Sequence, residues 1–149
     1  MRFPYRPYEV QPTPWFPDGV VYRPMVPLRV VSGMSDTTIV GLVDTGADET
    51  VLPDFLIGAL GIDVDPRRAG VFRGVGGQPV QGIFGDVTLE LEQGRQAHRW
   101  DATVAFISGP TVAILGRHGF LDRFRATFDG QRRELTLIRT RIAARMSAA

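Results

Sequence analysis

The chain has 149 residues and a mass of 16.4 kDa, the size of one ordinary domain. Hydrophobic residues make up 44% and charged residues 22%, which is globular usage rather than that of a disordered chain. No apolar run is long enough to cross a bilayer as a helix, and a net charge of +1 gives no field that steers the chain to nucleic acid or to an anionic membrane. There is no cysteine, so disulfides, thiolate metal sites and cysteine nucleophiles are excluded together. With only His98 and His118 present, a histidine metal cluster is not expected, and neither metal nor cofactor is. Every basic residue is an arginine. The N-terminus Met1-Arg2-Phe3-Pro4-Tyr5 lacks the apolar core of a signal peptide, so a cytoplasmic location is expected.

In chain order, residues 1–27 hold seven of the 11 prolines. That density opposes helix and central strand and predicts an extended arm over 1–19, anchored by Tyr5, Tyr8, Trp15 and Phe16, or a partly disordered tail. Short β runs follow, separated by turn residues. Strands are predicted at Val20–Tyr22, Val26–Ser32, Thr37–Val43, Ala69–Val75, Val80–Glu92, Ala97–Ile107, Thr111–Leu115, Ala126–Asp129 and Glu134–Ile138. Residues Val87 to Leu91 alternate apolar and polar, as a half-buried strand does. An Asp129-Gly130 turn joins the last two runs as a hairpin. Two helical pieces are predicted, Pro53–Leu60, stopped by Gly61, and a single turn at Gly119–Phe124; the tail 140–149 has helical spacing of Arg141 and Arg145. The expectation is an all-β domain over 20–139, with the arm 1–19 before it and an arginine-bearing tail 140–149 after it.

The segment with the clearest chemistry is Leu42-Val43-Asp44-Thr45-Gly46-Ala47-Asp48. An acidic residue directly after an apolar strand is costly unless the turn supplies hydrogen bonds. Thr45 offers a hydroxyl and Gly46 permits close backbone approach, so the turn can present a fixed carboxylate at a cleft floor. Alone, that tripeptide is an ordinary β-turn. Two further segments change the balance. Thr111-Val112-Ala113-Ile114-Leu115-Gly116-Arg117 echoes the strand before Asp44, without the acid, and Arg73-Gly74-Val75-Gly76-Gly77-Gln78 makes a glycine-rich hairpin tip. A phosphate loop fits that tip poorly, because neither a helix start nor a Gly-Lys-Ser/Thr follows.

Together these segments resemble the retropepsin-like aspartic proteases over about residues 24 to 138. The resemblance implies a closed barrel of short strands with a flap hairpin and one or two short helices, one lobe per chain. It implies a homodimer in which Asp44 of each chain forms a catalytic dyad that hydrolyses peptide bonds. Thr45 would bond across the twofold axis, Gly46 would face the substrate, and Asp48 would pair with Arg117. Gly74, Val75, Gly76 and Gly77 would form the flap, and Val51, Ile83 and Ile114 would line subsites. Pro79 after the flap glycines departs from the pattern, as do both chain ends, which in retroviral dimers interleave. Cellular members of the family exist, and the all-arginine basic set fits a bacterial one. A binding or dimerisation module without catalysis is the second reading. A nucleic-acid binder using Arg132, Arg133, Arg139, Arg141 and Arg145 is disfavoured by the low net charge and the lack of an aromatic stripe.

Overall fold

The computed structural model describes residues 1–74, 76–109 and 112–141. Among these the apolar alternation becomes strands β1 (Arg2–Pro4), β2 (Arg6–Glu9), β3 (Val20–Arg23), β4 (Met25–Ser32), β5 (Ser35–Val43) and β6 (Val51–Pro53). They continue as β7 (Val64–Arg73), β8 (Pro79–Gln93), β9 (Gln96–Ile107), β10 (Ala113–Leu115), β11 (Phe124–Asp129) and β12 (Glu134–Arg139). The helical content is one helix, α1 (Phe55–Leu60), and a 3-10 turn at Leu121–Arg123.

The largest sheet runs β4-β5-β10-β6-β9-β8, and β8 then returns to β4 through Arg29↔Glu90, Val30↔Leu89 and Val31↔Thr88. Six strands therefore close into a barrel, which removes the unpaired edges an open sheet would expose. Two contacts are parallel, β10 on β5 and β6 on β9. The first joins the two segments that echo each other in sequence. Strand β8 is long enough to serve two neighbours in turn: its first half carries β7 as an antiparallel hairpin outside the barrel, and its second half closes on β4. Leu28, Leu52, Leu89, Leu91, Phe106 and Leu115 fill the interior and are essentially inaccessible to water. Each such side chain contributes roughly 1.5–3 kcal/mol of burial.

A second sheet, ordered β1-β12-β11, covers one side of this core. Its buried Leu135 and Leu137 join the barrel interior, and Phe120, Phe124 and Trp100 form an aromatic cluster beneath it, with ring centroids 5.2 to 5.9 Å apart. The proline-rich beginning of the chain thus contains two strands that the prolines argue against. Both are edges: β1 pairs only with β12, and β2 pairs only with β3. Pro4 and Pro7 sit where a missing N–H is tolerated. The expected helix from Pro53 also starts later, because Val51–Pro53 pairs in parallel with β9 and the helix begins only at Phe55. Gly61 ends that helix with φ +61°, a left-handed cap that favours glycine. The expected helical tail 140–149 falls largely outside the described residues, as do Val75 and Thr111. No helix among the described residues is long and apolar enough to cross a membrane.

Candidate active site

Strand β5 ends at Val43 beside Leu115 of β10, and the parallel register sets the next residue. The Asp44 N–H donates to the Leu115 carbonyl at 3.1 Å, so Asp44 leaves the strand under the control of its neighbour. The chain then turns: Ala47 N–H donates to the Asp44 carbonyl at 3.3 Å, and Gly46 N–H donates to Asp44 Oδ1 at 2.8 Å. Asp44 is half-buried, while Thr45 and Gly46 are exposed. The carboxylate is therefore fixed by a backbone donor on one oxygen, and its other oxygen receives no hydrogen bond from the described residues.

A second turn locks the first. Arg117 N–H donates to the Ala47 carbonyl at 2.9 Å and His118 N–H to the Asp48 carbonyl at 2.8 Å. Gly116 passes so close to this strand that a Cβ there would overlap the Glu49 carbonyl. Thr50, with no exposed surface, ties the two turns together. Its hydroxyl donates to the His118 carbonyl at 2.8 Å and accepts from Gly116 N–H at 3.2 Å, while its carbonyl accepts from Ala105 N–H at 2.9 Å. The sequence analysis does not single out Thr50. Its signal is a polar residue with no turn to serve, between Glu49 and the apolar run from Val51. The Arg117 guanidinium meets the Asp48 carboxylate as expected, but both side chains are largely exposed, at 61% and 70%. In a single chain such a pair contributes about 0–1 kcal/mol.

Between this double turn and the β7–β8 hairpin lies a cleft of about 560 Å³. Its near wall is Gly46, Ala47, Asp48, Glu49 and Val51; its far wall includes Gly70, Phe72, Arg73, Gly74 and Phe84. The wall begins two residues beyond Asp44, and neither Asp44 nor Thr45 lines it. Of the three residues expected to line subsites, Val51 lies in the wall of this cleft, and Ile83 and Ile114 lie outside that wall. Side chains alternate along a strand, so the cleft-facing Phe84 sends its neighbour Ile83 to the opposite face, where it packs against the core. Ile114 stands opposite Val51 in the barrel wall. Phe72 and Phe84, with ring centroids 5.6 Å apart, form an aromatic wall that the sequence analysis missed by this one-residue offset.

The hairpin stays paired up to Arg73↔Pro79, which leaves Pro79 as the first residue of its strand, a position that needs no donor. Beyond it the tip is closed by Gly77 N–H to the Gly74 carbonyl at 3.0 Å and by Arg73 Nη1 to the Gly77 carbonyl at 3.0 Å. Gly76 and Gly77 have φ of +100° and +72°. Val75 lies outside the described residues. At the hairpin base the Arg68 guanidinium, with the Thr103 hydroxyl, holds the Asp86 carboxyl below the usual carboxylate range and so braces β7 to β8. The proline-rich arm contributes nothing to the cleft wall.

No protein-family model matches the sequence, and no curated protein sequence matches it. Among solved structures the chain is similar to the EIAV protease complexed with the inhibitor HBY-793, at 29% identity and a TM-score of 0.50. The likeness covers 64% of this chain and 82% of that one. The all-β closed barrel, with the glycine-tipped hairpin and the Asp44 turn it carries, thus has a retropepsin-like fold.

Proposed function

We propose that this protein is an aspartic endopeptidase whose active site forms when two identical chains bring their Asp44 carboxylates together. The observation that carries this reading is the double turn: Asp44 is held by Gly46 N–H at 2.8 Å and by the register of β5 on β10, beside an open cleft. The sequence contains one Asp-Thr-Gly only, and one carboxylate is insufficient. Two aspartates close together do not both ionise, so the pair shares one proton. The ionised member takes a proton from a water molecule, and that oxygen attacks the peptide carbonyl carbon. The protonated member gives its proton to the carbonyl oxygen, producing a tetrahedral diol. Return of a proton to the amide nitrogen then breaks the C–N bond and releases an acid and an amine.

In this reading the exposed Thr45 hydroxyl bonds across the twofold axis, and the partner chain covers Asp48 and Arg117. Gly74, Val75, Gly76 and Gly77 form a flap over the substrate. The substrate adds as a strand in the cleft, and Val51, Phe72 and Phe84 favour apolar side chains near the scissile bond. Residues 20–139 carry the catalytic fold, 1–19 are an arm and 140–149 a tail. The all-arginine basic set suits a bacterial, cellular member of this fold.

A peptide-binding module without catalysis is the second reading. It is favoured by the pairing of β1 with β12 of the same chain, which leaves those ends unavailable to interleave with a partner as retroviral ends do. The test is digestion of a complex peptide mixture from acid to neutral pH, read by mass spectrometry, with Asp44→Asn beside the natural chain. Cleavage by the natural chain alone supports the peptidase. Equal cleavage by both removes Asp44 as the catalyst, and cleavage by neither, with uncleaved peptides retained by the natural chain, supports the module.

A further inference from the structure

A cavity of about 360 Å³ opens between β9, the 3-10 turn and the end of β12, walled by His98, Arg123, Arg139, Thr140 and Arg141. It shares no wall residue with the cleft beside Asp44. Three of its five residues carry guanidinium groups, and none is acidic. The adjoining cavity on the other side of His98 adds Arg95 and the Met1 end and again no carboxylate. Elsewhere Arg29 meets Asp36 and Glu90, Arg67 meets Asp65, and Arg68 meets Asp86, whereas no ion pair is formed by Arg139 or Arg141 among the described residues.

One group in the wall, the Nε of Arg123, lacks the hydrogen-bond partner its burial calls for, and a second, His98, is buried as a ring. His98 is 7% exposed, stacked on Trp100 at 4.9 Å and edge-on to Phe124 at 5.4 Å, so its ring is held in place. It lines the cavity. Burial, and then the charges of Arg139 and Arg123, hold its pKa below the ordinary value. The Nε of Arg123 is buried without a hydrogen-bond partner among the described residues; the Asp122 carboxylate forms an ion pair with it at 3.7 Å, and Arg123 Nη2 donates to the Asp101 carbonyl at 3.5 Å. Arg139 and Arg141, both exposed, stand beside Arg123 at this site, and like charges gathered there favour a bound anion.

We propose that this cavity is a binding site for a phosphate group, held by Arg123, Arg139 and Arg141, with the Thr140 hydroxyl and His98 as further donors. A planar carboxylate has one charge and two oxygens and leaves much of this donor set unused. A phosphate brings about −1.5 to −2 charge and three or more acceptor oxygens. The free ion and a phosphate ester share this chemistry.

His98 and His118 are the only histidines, so NMR of the imidazoles reports the site with a built-in control. The full chain is titrated with inorganic phosphate, and separately with O-phosphoserine, at constant ionic strength, with chloride as the reference anion. The expected result is a saturable shift of His98 with a rise in its pKa, while His118 does not move. Arg139→Gln combined with Arg141→Gln, both at exposed side chains, weakens the binding by roughly tenfold or more. An unchanged His118 signal in that variant verifies that the fold is kept. Tighter binding of phosphoserine marks an ester as the natural source, and tighter binding of phosphate marks the free ion. Failure of both to shift His98, an equal shift by chloride, or undiminished binding in the double variant overturns the site. Loss of peptidase activity in Asp44→Asn leaves this result untouched, so the two proposals fail separately.

Discussion

Replacing Thr50 by valine tests how the two turns are held together. The side chains have nearly the same shape, so no cavity opens and the change isolates the hydroxyl. That hydroxyl donates to the His118 carbonyl and accepts from Gly116 N–H in a site with no exposed surface. After substitution the His118 carbonyl still accepts from the backbone N–H of residue 50, at 3.0 Å in the natural chain, so the loss on that side is one bond, about 0.5–1.5 kcal/mol. Gly116 N–H keeps no partner in a place that water does not enter, which costs about 1–3 kcal/mol. The sum is roughly 1.5–4.5 kcal/mol, or about 3–18 °C in Tm for a chain of this size. Urea denaturation at fixed protein concentration measures it, with Thr50→Ser, which keeps the hydroxyl, as the control. A Thr50→Val stability within about 0.5 kcal/mol of the natural chain would refute the argument, because that is the range of an ordinary surface change.

Gly41→Ala is expected to destabilise by about 1–3 kcal/mol, since a Cβ there lies 2.7–2.9 Å from the buried Leu115 side chain; thermal denaturation reads it, and Leu115→Val in the same chain should restore part of the loss. Arg117→Ala should change the stability of the single chain by less than about 1 kcal/mol, yet weaken self-association measured by sedimentation at low concentration if a partner covers the Asp48 pair. His98 has a folded pKa below its unfolded value, so its stabilising effect is complete above pH of about 6.5 and is lost as pH falls through the folded value. Urea midpoints in phosphate-free buffer should fall with pH in that range for the natural chain and less steeply for His98→Gln. Asp36, Asp65 and Asp86, each held low first by a hydrogen bond from an arginine, lose their contribution only at more acid pH.

The strands with clear alternation were legible because a half-buried sheet imposes a period of two on its own sequence. The Asp44 turn was legible because an acid at the end of an apolar run needs a reason, and the echo between β5 and β10 reflects a parallel pairing that demands similar surfaces from both. What period alone does not carry is phase. Ile83 and Phe84 are both apolar and adjacent, and only the pairing of β8 with its neighbours decides which of them faces the cleft. The three-residue strands β1 and β6 are too short to show any period, and Pro4 and Pro53 disguise them further. Thr50 stayed hidden because its role depends on Gly116 and His118, distant in the chain, and nothing local announces that meeting.

The pairing of β1 with β12 has a consequence for how the molecule is made. Phe3 is buried in the pairing of β1 with residues 134–136, and the Met1 amino group bonds the Leu137 carbonyl, so β1 waits for β12 before it has a place to go. Until then its aromatic residue stays in water and its edge is unpaired. The closure of β4 on β8 also joins residues as far apart as Arg29 and Glu90, and contacts so distant in sequence slow folding, because the loop must be closed before it is rewarded. During synthesis the barrel therefore cannot close before β10 has been added and β1 cannot dock before β12 has, whereas in refolding from denaturant all these segments are present from the start.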